Sequence, residues 1–190
     1  MFYFRQYIVN GITFYRILAA PVLLYFIISN QPDVFKVLLP ISFFTDAIDG
    51  YLARSLKVNT PFGAKIDSIG DDLTVLVAVI GIIVFRPAFL IEQLIYMAIP
   101  IILLIIQVGL AFIRYRRMSS FHTYSAKIAA VLQGIFLILF FLLDQPLYEL
   151  FYLALICTSI NLLEEIVLVV ILPEWKSDIK GLYWILNKDR

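Results

Sequence analysis

Apolar residues run along this chain in long blocks, separated by short polar punctuation, and no alternation with a period of two persists. Six blocks stand out, at residues 11–28, 34–56, 63–85, 89–113, 123–143 and 147–172. Strands are shorter than this, and the missing alternation excludes half-buried sheet, so the pattern predicts helices throughout. A helix that crosses a bilayer needs about 20 mostly apolar residues, which each block approaches or exceeds. The expectation is an all-α, polytopic membrane protein, a six-transmembrane-helix bundle forming one domain over 1–190. Punctuation falls at Ser29-Asn30-Gln31-Pro32-Asp33, at Lys57-Val58-Asn59-Thr60-Pro61-Phe62 and at Arg86-Pro87. In the second of these, Pro61 reads as a helix breaker that keeps the loop open until Gly63.

Composition supports the membrane reading. The chain is 62% hydrophobic with a mean hydropathy of +0.94, against roughly 45–50% apolar content in ordinary globular domains. A formal net charge of +1 gives no basic footprint for nucleic acid. The one cysteine, Cys157, sits inside an apolar block and reads as a small buried hydrophobe. The first residues lack a compact apolar stretch with a small-residue cleavage site, so no removable signal peptide is expected. Basic residues are distributed unevenly. Six spans would put both termini and the loops near 57–63 and 114–123 on one side, with Arg5, Arg54, Lys57, Arg114, Arg116, Arg117, Lys176, Lys180, Lys188 and Arg190. Lys36 and Arg86 lie towards the other. The positive-inside rule then places both termini in the cytoplasm, at the inner membrane of the cell. Aromatic residues mixed with basic ones at both ends, Phe2 to Ile8 and Trp175 to Ile185, predict interfacial amphipathic ends or ordinary aromatic belts.

Acids are what this composition should avoid, because a carboxylate at bilayer depth costs at least about 2.5–3.5 kcal/mol. Yet Asp46, Asp49, Asp67, Asp71 and Asp72 all fall in or beside the second and third blocks. Asp46 and Asp49 are three apart, Asp67 and Asp71 four apart, so each pair shares a helix face. Two helices joined by a short loop bring those faces together at the cytoplasmic end. Four such anions repel strongly unless cations bridge them, and an all-oxygen donor set suits Mg²⁺ or Mn²⁺ with phosphate oxygens completing the shell. Gly50 and Ala53 leave room beside Asp49, Arg54 can meet a phosphate in fork geometry, and Gly63 permits close approach to the backbone. This is a diphosphate site in outline. Asp72 points about 100° away from Asp71 on a helix.

The run from Asp46 to Asp71 fits D-x2-D-G-x2-A-R-x8-G-x3-D-x3-D at every fixed position and gap, and so resembles the signature of the CDP-alcohol phosphatidyltransferase family. Each specified position lowers the chance of accident by roughly ten- to twentyfold. Asn10, Thr13 and Arg16 are similar to the N-x-x-T-x-x-R start of the first span in that family. Ser125-Ala126-Lys127 with Gln133 resembles the fifth-span pattern of glycerophosphate-using members, although Ala129 and Ala130 replace the polar or basic residue and the threonine usual there. The resemblance implies metal-dependent transfer of a phosphatidyl group from CDP-diacylglycerol to an alcohol, with CMP released, in phospholipid biosynthesis. It implies two divalent ions (Mg²⁺ or Mn²⁺) held by Asp46, Asp49, Asp67 and Asp71. The same resemblance implies CDP binding by Asn10, Thr13, Asp49, Gly50, Ala53, Arg54, Gly63 and Asp67. Asp71 would be the catalytic base, the chain a homodimer among membrane lipids.

The acceptor is less constrained. Arg114, Arg116, Arg117 and Lys127 gather at the same mouth, and a phosphorylated alcohol needs positive partners. Arg114 and Lys127 are the candidate acceptor contacts, with Arg116 and Arg117 better explained by topology. Glycerol 3-phosphate is the first expectation, with an inositol phosphate, serine or cardiolipin synthesis as alternatives. Glu164 and Glu165 are expected to pair with Lys127 or an arginine, or to line the acceptor pocket, and Asn161 and Thr158 extend their polar strip. His122 reads as a surface loop residue, and Gly109 and Gly134 as points of close helix approach. The competing class is a small ion-coupled transporter, whose site would lie at the midplane between repeated halves; here the acids gather at one end and no repeat appears.

Overall fold

The computed structural model describes residues 18–55, 61–117, 121, 123–175 and 179–187, and at 46–47, 49–55, 61–69 and 71–72 it describes the helical path without the side chains. Every regular element described is a helix: α1 (described over Leu18–Ile28), α2 (Pro32–Ser55), α3 (Pro61–Phe85), α4 (Pro87–Tyr115), α5 (Tyr124–Leu142), α6 (Tyr148–Ile171) and the short α7 (Leu182–Leu186). Three of them, α4, α5 and α6, are long and apolar enough to cross a membrane. Shorter apolar stretches occupy Leu18–Ile28 and Leu73–Phe85. The residues before 18, including the aromatic N-terminal stretch, lie outside the described part.

Prolines mark where helices begin. Pro32 and Pro87 each occupy the first helical position of α2 and α4, and α3 is described from Pro61 onward. Proline is suited to that place because its missing N–H would have no intrahelical partner and its φ is already helical. The expectation that Pro61 belongs to the loop before Gly63 is corrected: it is helical, within α3. Likewise α2 starts at Pro32 and not at Val34. The turn between α1 and α2 is short because Asn30 adopts φ 52°. Its amide donates to Ile27 O at 3.0 Å and the Gln31 amide to Phe26 O at 2.9 Å, the paired bonds of a Schellman cap.

The chain divides into two compact units, Met1–Ile91 with Phe141–Asp144, and Glu92–Phe140 with Gln145–Arg190. In the first, α1 buries Ala20, Leu23 and Ile27 along one stripe at the helical spacing of three and four. Phe35 is fully buried and meets Phe85 and Phe141 edge to face at 5.5 and 4.9 Å. A cavity of about 310 Å³ lies at this end of α2 and α3, among Asp33, Lys36, Arg86 and Asp144, far along both helices from the aspartates.

In the second unit Ala111, Phe121, Leu168, Val169, Leu172 and Ile179 form one buried cluster, with Leu182 and Ile185 packed against it. The C-terminal segment therefore has a docked face as well as the exposed Tyr183, Trp184 and Leu186. Gly109 is corrected too: among the described residues a Cβ built there meets nothing within 4 Å.

Candidate active site

The two helices that carry the acidic motif pack antiparallel, and two observations fix their register. Phe35, one turn into α2, covers Gly81 near the end of α3, where an added Cβ would stand 2.9 Å from the ring. Seven residues further along α2, Ser42 meets Thr74, seven residues back along α3, their hydroxyls 3.5 Å apart. Thr74 spends its proton on the Gly70 carbonyl at 2.9 Å, so Ser42 faces an acceptor. At 3.5 Å this is a long contact, more a marker of register than a strong bond. Both residues are buried, 2% and 3% exposed.

Seven residues are close to two helical turns, about 10.5 Å of rise, and a repeat of seven keeps one face towards an antiparallel neighbour. One more such step in each direction reaches Asp49 on α2 and Asp67 on α3. Asp46 lies one turn beyond Ser42, and Asp71 just under a turn before Thr74, so these two positions are also level. By residue count, the acidic positions of α2 thus lie four and seven residues beyond Ser42, and those of α3 three and seven before Thr74. A slip of one residue would rotate one face by about 100°.

Asp46, Asp49, Gly50, Ala53 and Arg54 lie on the C-terminal half of α2, and Gly63, Asp67 and Asp71 on the first three turns of α3. Their side chains, together with Asn10, Thr13 and His122, lie outside the described residues. Among the described residues no cluster of three or more metal-type ligands occurs.

The second unit holds a different polar centre, on a strip of α6 formed by Thr158, Asn161, Glu164 and Glu165. Thr123, fully buried, caps α5 by accepting the Ala126 amide at 3.1 Å and donates to Asn161 Oδ1 at 3.0 Å. Ser125 lies 3.0 Å from the same oxygen and is in hydrogen-bond contact with Glu164 Oε2. Asn161 Nδ2 donates to Glu165 Oε1 at 3.1 Å, and Gln107 Nε2 to Glu165 Oε2 at 2.9 Å. Gln133 donates to Thr158 at 2.6 Å. The expected pairing of Glu164 or Glu165 with Lys127 or an arginine is corrected: among the described residues both are satisfied by neutral donors. The partners were missed because Gln107, Thr123 and Ser125 are ordinary polar residues whose convergence depends on packing.

Of the acceptor candidates, Lys127 lies two residues along α5 from Ser125 and Arg114 reaches the end of α6. Arg114 donates from Nε to the Leu172 carbonyl at 3.2 Å, helping Tyr115, whose hydroxyl sits 2.9 Å from the same oxygen, to close the end of α6. Lys127 is exposed, with Nζ 5.4 Å from the centre of the Tyr124 ring. Arg117 lies over Trp175 at 5.9 Å. Arg116, at φ 55°, donates its amide to Phe112 O at 2.9 Å and so ends α4.

Comparison with known proteins settles the family. The model of the CDP-alcohol phosphatidyltransferase family matches residues 6–171. The chain belongs to that family. Three curated relatives carry the name CDP-diacylglycerol--glycerol-3-phosphate 3-phosphatidyltransferase. The Haemophilus influenzae protein is 31% identical over 97 residues, covering 50% of this chain and 49% of that protein. The Pseudomonas fluorescens protein is 39% identical over 76 residues, 37% and 38% of the two chains. The Wigglesworthia glossinidia brevipalpis protein is 29% identical over 106 residues, 54% and 55%. This phosphatidyltransferase-family chain thus spans about half the length, or less, of each relative it matches. No solved structure matches it significantly.

Proposed function

We propose that this chain transfers the phosphatidyl group of CDP-diacylglycerol to glycerol 3-phosphate, releasing CMP, as a step in phospholipid synthesis. The observation that carries the reading is the heptad register of α2 and α3, marked by Phe35–Gly81 and Ser42–Thr74; we infer that the same repeat carries on to Asp49 and Asp67. The relatives' names support the acceptor, as do the basic residues Arg114, near the end of α4, and Lys127, in the first turn of α5.

The donor set fits a pair of divalent cations: four carboxylate positions, level in pairs, with no nitrogen or sulfur ligand in the motif, suit Mg²⁺ or Mn²⁺. Asp46, Asp49, Asp67 and Asp71 would hold them. Bound there, such ions neutralise the diphosphate and polarise the phosphoryl group. The protein's own residues do the rest. Gly50 and Ala53 leave space against the backbone of α2 for the nucleotide, with Arg54 a turn away to pair with a phosphate. Gly63 does the same on α3, and Asn10 and Thr13 extend the nucleotide contacts. Asp71 takes the proton from the acceptor hydroxyl. The new bond forms from that oxygen to the phosphorus bearing the diacylglycerol, and the bond from that phosphorus to the CMP oxygen breaks. No covalent enzyme intermediate is needed.

Six spans, both termini on the cytoplasmic side of the inner membrane and a homodimeric assembly belong to the same proposal, supported by the apolar blocks, the distribution of basic residues and the family. The test is an acceptor screen with purified protein, CDP-diacylglycerol and Mg²⁺ or Mn²⁺, scored by CMP release. Glycerol 3-phosphate should give turnover; turnover with serine or an inositol phosphate in its place would reassign the acceptor, and no CMP with any alcohol would sink the enzymatic reading.

A further inference from the structure

Residues 179–187 are fastened to the start of α5. Ile179 is buried in the cluster with Ala111, Phe121, Leu168, Val169 and Leu172. The Lys180 carbonyl accepts the Tyr124 amide at 3.1 Å, one of the first-turn donors of α5 that no intrahelical acceptor can satisfy. The Leu182 amide donates to Glu164 Oε1 at 2.7 Å, while the other oxygen of Glu164 is engaged by Ser125. The Trp184 ring lies 5.2 Å from that of Tyr124. Gly181 joins these contacts at φ 150°, where an added Cβ would stand 2.9 Å from Glu164 Oε1 and displace that carboxylate. That conformation is essentially restricted to glycine, so the passage past Glu164 is a built feature.

What the segment holds is the first turn of α5. Glu164 grips Ser125 directly; Trp184 backs Tyr124, and Tyr124 offers its ring to Lys127 at 5.4 Å. We propose that this segment is a strap, with Glu164 as a positioning residue, that fixes the first turn of α5 and thereby sets Lys127 for the phosphate of the acceptor. This rests on the acceptor reading given above. Glu164 acts through Ser125 and the strap, and the strap acts through Tyr124.

The test uses the full chain in detergent or nanodiscs and two readouts. Trypsin cleavage after Lys180 reports docking without substrate: E164A and G181A should be cut faster than wild type, and E164Q, whose amide can still accept from Leu182 and donate to Ser125, should remain protected. In the CMP assay, E164A and W184A should raise KM for glycerol 3-phosphate on the order of tenfold, the scale of one hydrogen bond to a charged group, with KM for CDP-diacylglycerol unchanged. E164Q should restore the low KM. Wild-type cleavage in E164A and G181A would overturn the strap. Faster cleavage with an unchanged acceptor KM would overturn the positioning role. If wild type makes no CMP from glycerol 3-phosphate, the acceptor reading fails with the positioning role, while cleavage still decides whether the strap is docked.

Discussion

Phe35 lies over Gly81 with its ring so close that one added methyl group would stand 2.9 Å from Cζ. The same position would be 3.1 Å from the Phe141 ring, so there is no side on which a larger residue could lean. G81A should therefore destabilise the protein by about 1–3 kcal/mol through overpacking, read as a lower unfolding temperature in detergent. F35L in the same chain removes ring atoms from the clash and should return part of the loss, whereas additive losses would show that the two sites do not touch.

Ser42 and Thr74 mark the next heptad of the same interface. T74V keeps the shape, frees the Gly70 carbonyl and leaves the Ser42 hydroxyl facing a methyl group. A cost of about 0.5–2 kcal/mol is expected, in keeping with polar contacts between membrane helices. The S42A/T74V pair should cost less than T74V alone, because no buried donor is then stranded. Thermal unfolding of the three variants distinguishes the two cases, and a larger loss in the double variant would contradict the argument.

Asp71 tests the proposed chemistry. D71N keeps the volume of the side chain and removes its ability to take a proton, so CMP release should fall by about 10²-fold or more. Membrane insertion and unfolding temperature should change little. Stripping divalent cations with a chelator should abolish turnover in wild type, and Mg²⁺ or Mn²⁺ should restore it; turnover that survives the chelator would exclude the carboxylate-bound ions.

Gln107 and Glu165 meet at 2.9 Å between α4 and α6. Q107L removes a donor from a half-buried carboxylate and should cost about 1–3 kcal/mol, with E165Q in the same chain recovering part of it because a neutral amide is cheaper to leave in that place. Unfolding temperatures of the single and double variants check the coupling. Equal losses in Q107L and Q107L/E165Q would show that the charge is not the source of the cost.

Much of this was legible in the residues. Long apolar blocks located α4, α5 and α6 to within a residue or two at each end: 89–113 against Pro87–Tyr115, 123–143 against Tyr124–Leu142, and 147–172 against Tyr148–Ile171. Hydrophobic length is a local property, and the chain states it directly. Helix starts were less visible. Pro32 reads as part of a loop and as a favoured first residue in a helix, and the two uses look alike until the following turn is seen to form.

Pairing between distant elements was harder still. Gly109 and Gly81 have equally apolar surroundings in the sequence, yet among the described residues Gly81 faces Phe35 and Gly109 faces nothing within 4 Å. Glu164 and Glu165 invite a lysine or arginine, but hydroxyl, amide and backbone donors reach them first. Which donor arrives depends on the rotation of α4, α5 and α6 about their own axes.

The spacing of Asp46, Asp49, Asp67 and Asp71, and hence which acids share a helical face, was fixed by residue order alone, since helical geometry converts separation into angle. Tertiary packing decided that Phe35 sits on Gly81 and Ser42 on Thr74, and that Glu164 holds the C-terminal strap. Those contacts join residues far apart in the chain, where only the shape and hydrogen-bonding capacity of the partner surfaces select one register over its neighbours.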